Sequence, residues 1–120
     1  MKINRASALR LWEERYGDQR FAVDFHGSLM CREAYSDPNY YVVDRNAGRF
    51  NLPTKIYCGW NIHHILPVAQ GGTNARENLL CTNIATNEAA EDKITFWIEG
   101  CLYQVKCVPG SSEHEIVRID

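Results

Sequence analysis

The stretch WNIHHILPVAQGGTNARENLLCTNIATNEAAEDK, residues 60–93, decides how this chain is read. Adjacent residues of an extended strand point to opposite faces, so the imidazoles of His63 and His64 take separate jobs if this segment is a strand. Pro67 ends the strand pattern after Ile65 and Leu66, and Gly71 and Gly72 supply the backbone freedom of a wide turn. Asn78 then opens a second short apolar run, Leu79, Leu80 and Cys81. Thr82 and Asn83 are good helix N-caps, and the following residues read as a helix through about Ile98, with Gly100 just beyond its end. Asn87 falls in the first turn. On such a helix Ile84, Ala90, Ile94 and Trp97 form the buried side, and Glu88, Glu91 and Asp92 a solvated one. The expectation is a strand, loop, strand, helix unit, with imidazoles on the first strand and an amide at the helix start.

Imidazole serves both as a ligand for divalent metals and as a group that exchanges protons near neutral pH. Two isolated histidines are most simply satisfied by backbone hydrogen bonds; the order of the whole stretch shifts that balance. The segment resembles the HNH endonuclease family, which is built on a ββα-metal finger. The family pattern runs as an acid or His, then His, Ile, one residue and Pro, followed by Gly-Gly, Asn-Leu and a last Asn or His on the helix. Here those positions are His63, His64, Ile65, Pro67, Gly71, Gly72, Asn78, Leu79 and Asn87. Asn78 and Asn87 stand fourteen and twenty-three residues after His64, and Gly59-Trp60 leads into the motif. The match covers about a third of the chain, with the core at about 60–98.

The resemblance implies a role for each residue. His64 is the general base that takes a proton from the attacking water, His63 a metal ligand, and Asn87 the second protein ligand. Asn78 holds the loop or orients the His64 ring. The chemistry is coherent without the family. A divalent cation neutralises charge developing on a phosphodiester and stabilises the leaving 3′ oxygen, two protein ligands leave it open positions, and a placed base contributes ~10²–10⁴-fold. Three features depart from the pattern. His63 stands where an acid is usual, so the cofactor, one divalent ion, is Mg²⁺ or Mn²⁺ with Zn²⁺ or Ni²⁺ also open. Asn83, best explained as a helix cap, lies one turn before Asn87 and competes with it. The CxxC pairs that hold a structural zinc in many members are missing.

The five cysteines, Cys31, Cys58, Cys81, Cys101 and Cys107, show no C-x₂₋₄-C spacing and are odd in number, which argues against a zinc ribbon and a full disulfide framework. A site joining Cys58 and Cys81 to His26 or His114 is the weaker alternative. With neither an apolar leader nor a long apolar run, the expectation is a cytoplasmic protein with reduced thiols and no membrane association.

At 120 residues and 45% hydrophobic content the chain suits one domain, 1–120, with its own core. Leu9, Trp12 and Tyr16 mark an amphipathic helix over 6–16, closed near Gly17. Strands are expected at 21–25, 28–31 and 40–43, and a C-terminal β-hairpin at 101–108 and 114–119 around Pro109-Gly110. The fold class is therefore α+β: an HNH-like finger elaborated by an N-terminal helix, short strands and a terminal hairpin.

A formal charge of −2 is unusual for a protein that grips a nucleic-acid backbone by charge alone. The partner read from the resemblance is DNA, with RNA open. Local contacts then fall to Arg45, Arg49, Lys55, Arg76 and Lys93, and a partner protein or larger complex can supply targeting. Set against the endonuclease reading are a catalytically inactive binding module on the same scaffold, and a regulatory protein that acts on nucleic acid or on a nuclease partner.

Overall fold

The computed structural model describes residues 3–44 and 54–120. It is an α+β structure; among the described residues the pairings between strands are antiparallel, and a parallel bridge joins Tyr35 to Trp60. Helix α1 (Arg5–Tyr16) begins at Asn4, whose side chain accepts from the Ser7 amide, and ends at Gly17. Strands β1 (Phe21–Val23) and β2 (Leu29–Cys31) form a hairpin, and β3 (Tyr41–Asp44) pairs with β4 (Thr54–Tyr57). Strand β5 (Trp60–His64) pairs with β6 (Leu79–Asn83), placing His63 opposite Leu80 and Trp60 opposite Asn83. Helix α2 (Ile84–Ala90) follows directly. A three-stranded sheet of β7 (Thr95–Ile98), β8 (Cys101–Cys107) and β9 (His114–Arg118) completes the chain, with β8 in the centre.

The expected helix over 6–16, the strands near 21–25, 28–31 and 40–43, and the terminal hairpin are all present within a residue or two. The second helix differs. It stops at Ala90, about two turns short of Ile98, where Glu91 takes a positive φ (50°) and its amide closes on the Asn87 carbonyl. Residues 95–98 instead alternate as Thr-Phe-Trp-Ile, a β-branched and aromatic run, and only a strand separates Phe96 and Ile98 (buried) from Trp97, which is 61% exposed. Gly100 is correspondingly no helix cap. With Glu99 (φ 48°) it forms the two-residue turn between β7 and β8, where positive φ at both central positions matches the twist of the flanking strands. Ile94, expected to be buried, is 44% exposed.

Two apolar clusters result. In the first, Ala8, Leu11 and Trp12 of α1 pack on Met30, Cys31, Trp60 and Leu79, and the rings of Trp12 and Trp60 lie 4.9 Å apart. Both indoles are fully buried with their N–H groups satisfied, Trp12 on the Gln19 carbonyl and Trp60 on that of Arg32. Burying roughly 150–250 Å² per aromatic ring, at about 25 cal/mol per Å², makes this pair the main anchor of β5. The second cluster joins Ala90 at the end of α2 to Phe96, Ile98 and Tyr103 of the terminal sheet, with Phe25 against it.

Asp24 stitches these regions together. Its buried carboxylate accepts from the backbone amides of His26 and Ser28 through Oδ1, and from that of Asn83 through Oδ2. Charge-assisted bonds of this kind are the stronger ones, and here they tie the β1–β2 turn to the residue from which α2 starts. Arg15 adds a link from α1 to β6, donating to the Leu79 carbonyl at 3.0 Å. Among the described residues, no helix is long and apolar enough to cross a membrane.

Candidate metal and catalytic site

Strand β5 carries Asn61 and His63 on one face and Ile62 and His64 on the other. The strand ends at His64, and an open cleft of about 490 Å³ lies at that end. Its walls include both histidines, Pro67, Asn87, Glu91 and Asp92. The two imidazoles and the α2 amide therefore border one space, although the imidazoles leave the strand in opposite directions.

His63 is 3% exposed, and its Nδ1 lies 2.5 Å from Asn87 Oδ1. Asn87 Nδ2 in turn donates to Asn61 Oδ1 at 2.8 Å. A carbonyl oxygen only accepts, so Asn61 fixes the Asn87 amide with its oxygen toward His63, and His63 carries its proton on Nδ1. The Nε2 of His63 is buried without a hydrogen-bond partner. A buried, unpaired polar atom costs about 1–3 kcal/mol and calls for an explanation such as an ion or a water. Burial also pushes the His63 pKa down; His64 adds to that, while the Asn87 hydrogen bond and Asp92 oppose it. Neutral imidazole is the form that binds metal.

A divalent cation would find two donors here, but as they stand the two are engaged with each other through the Nδ1–H of His63. The donor set is one neutral imidazole with an unpaired nitrogen and one amide oxygen, a set that suits borderline metals. Among the described residues, no three His, Cys, Asp or Glu side chains group so as to hold a metal ion; a cation held by His63 and Asn87 together would have to take the place of the proton between them. The missing charge compensation at His63 has a source that the sequence reading overlooked. Glu91 and Asp92 are solvent-exposed, as expected, yet because α2 stops at Ala90 they line the cleft instead of running along a helix.

His64 is held separately, its Nε2 lying 2.6 Å from Asn74 Oδ1. Asn78, expected to hold the loop or orient His64, holds the loop. Its Oδ1 accepts from the Leu66 amide at 2.8 Å, and its Nδ2 donates to the carbonyls of Leu66 (3.1 Å) and Thr73 (2.9 Å), closing the loop between β5 and β6. Gly72 is needed there because a Cβ would overlap the Leu66 carbonyl.

Asn83 is resolved as structure. It caps α2 by accepting from the Ala85 amide, and its Nδ2 donates to the carbonyls of Leu29 and Tyr57. Asn87, and not Asn83, faces His63.

No family model matches this chain, and neither does any curated protein or solved structure.

The remaining expected sites are not brought together. Lys55 is exposed on β4, Lys93 follows α2, and Arg76 pairs with Glu14 at 2.8 Å. Arg45 and Arg49 lie outside the described residues. Cys58 and Cys81 are buried in the first cluster, and burial pushes their thiols up to about 11 and about 12. Protonated thiols are poor ligands, and His26 is occupied with Tyr103 and Glu99. Asn61 and Asn74 escaped the sequence reading. Asn61 could have been found from period-two alternation, which puts it on the His63 face; Asn74 carried no signal beyond its place in a polar loop.

Proposed function

We propose that this protein is a metal-dependent endonuclease of the HNH type, hydrolysing phosphodiester bonds in DNA, with β5, β6 and α2 as its ββα-metal finger. The observation that supports this most is the pairing of His63 with Asn87, from a strand and a helix twenty-four residues apart, on the cleft that His64 also borders. A scaffold needs no such pairing beside an unpaired buried nitrogen.

In this reading His63 and Asn87 would hold one divalent ion in place of the hydrogen bond that joins them, Mg²⁺ or Mn²⁺ with Zn²⁺ or Ni²⁺ also suited to the donors. That ion would neutralise charge developing on the phosphate and stabilise the departing 3′ oxygen. His64 takes the proton from the attacking water. With Nε2 donating to Asn74, the free lone pair is on Nδ1, and that nitrogen receives the proton. Asp92 and Glu91 place negative charge beside the cation but also repel the DNA backbone. Combined with the pairing of Arg76 to Glu14 and the formal charge of −2, this implies weak intrinsic DNA affinity and delivery by a partner.

Supercoiled plasmid incubated with the protein and each of the four metals tests the reading. Nicking is expected for the wild type and not for His64→Ala; equal nicking by both overturns the assignment of the base. If neither cuts with any metal, the finger is a binding scaffold. Calorimetric titration should show metal binding weakened in His63→Ala and Asn87→Ala and retained in His64→Ala.

A further inference from the structure

We infer that Asn74 is the positioning residue for His64, setting its ring orientation and leaving Nδ1 as the atom that accepts a proton. The inference rests on the endonuclease reading for its functional meaning, but its geometry stands on the free protein. Asn74 Oδ1 lies 2.6 Å from His64 Nε2. The oxygen is an acceptor only, so Nε2 must be the donor, and a neutral imidazole with its proton on Nε2 has its lone pair on Nδ1. Ring orienters of this kind fix both tautomer and direction.

The loop is built to keep Asn74 there. Asn78 Nδ2 donates to the carbonyl of Thr73, the residue before Asn74, and Thr73 Oγ1 accepts from the amide of Ala75, the residue after it. Upstream, the Gly72 amide donates to the Pro67 carbonyl, and Gly72 packs so closely on Leu66 that no side chain fits. Asn78 thus acts on His64 at one remove, by fixing the chain on which Asn74 sits. Asn74 is itself exposed, so replacing it removes the bond to the ring without opening the core.

Nitrogen-15 NMR of the His64 ring in the metal-free protein provides a test independent of turnover. In the wild type, Nε2 should be protonated and Nδ1 bare, with the Nε2 proton sheltered enough from exchange to be observed. In Asn74→Ala that proton should be lost to exchange and the two nitrogen shifts should move toward a tautomer average. Asn74→Asp, which keeps an acceptor oxygen at the same reach, should restore the wild-type signature. In the plasmid assay Asn74→Ala should lower kcat about 10-fold or more, within the ~10²–10⁴ a general base contributes, with KM little changed, and Asn74→Asp should recover most of it.

A wild-type ring protonated on Nδ1, or a signature unmoved by Asn74→Ala, overturns the inference whatever the plasmid shows. So does a loss that appears in KM alone. Ring signatures that follow Asn74 in a protein that cuts nothing would uphold the coupling and sink the endonuclease reading instead.

Discussion

The unit of β5, β6 and α2 and the terminal sheet of β7 to β9 differ most in what they bury. Besides Trp60, Leu79, Cys81 and Ala90, the former buries the polar side chains of His63, Thr82, Asn83 and Thr86, whereas the buried positions of the sheet are Phe96, Ile98 and Tyr103. Among the described residues, both buried side-chain atoms without a hydrogen-bond partner, His63 Nε2 and Thr82 Oγ1, belong to the first region. Burying polar groups is unfavourable unless they are satisfied. The first region therefore spends stability on placed polar atoms, while the sheet supplies an apolar buttress against the end of α2. That division is what a site carried on a scaffold looks like.

The division can be broken from the sheet side first. Phe96→Ala should lower the unfolding free energy by about 3–5 kcal/mol, measured by urea denaturation, while the ring signals of His63 and His64 in the folded protein stay unchanged. If the cleft is lost while stability holds, the buttress and the site are not separate.

Mild acidity reaches the β5–β6–α2 unit through His63. His63 resists protonation when folded, whereas in the unfolded chain it takes a proton near its ordinary value of 6.5. Its contribution to stability is thus fully present above about pH 6.5 and is lost as pH falls from there toward the depressed folded pKa. Denaturation of the metal-free protein across that window should show the decline, and His63→Gln should flatten it; an equal decline in both proteins would assign the effect elsewhere.

Thr82→Val sharpens the comparison. Because the Thr82 hydroxyl is buried and unpartnered, an isosteric apolar side chain should be neutral or stabilise by about 1–2 kcal/mol. A loss of more than about 1 kcal/mol in thermal unfolding would mean the hydroxyl has a partner in solution. The smallest effect belongs to Trp97, which is 61% exposed on the outer face of β7. Trp97→Ala should change stability by less than about 0.5 kcal/mol, and a larger change would mean that face is covered in solution.

Much of the β5–β6–α2 unit was legible because its signals are local. Pro67, Gly71 and Gly72 punctuate the loop, Asn83 caps a helix with its own side chain, and the two histidines are separated by strand periodicity alone. The end of α2 was not legible. Residues 84–98 carry apolar positions compatible with a helix, and the local signal against it, the β-branched and aromatic run at 95–98, is only four residues long. What decides is the pairing of β7 with β8, which sinks Phe96 and Ile98 beside Tyr103, a gain that exists only once β8 is present.

The sequence by itself determined the α+β class, the antiparallel strand pair, the loop between them and the helix start, because hydrophobic alternation, turn residues and caps act over a few positions. Only the tertiary structure decided which amides meet which imidazoles. Asn87 turns to His63 because Asn61 holds it, and Asn74 reaches His64 because Asn78 locks the loop. Hydrogen bonds between side chains ten to twenty-six residues apart depend on where the packed backbone sets each one. That is a property of the assembled fold, which no short window of residues contains.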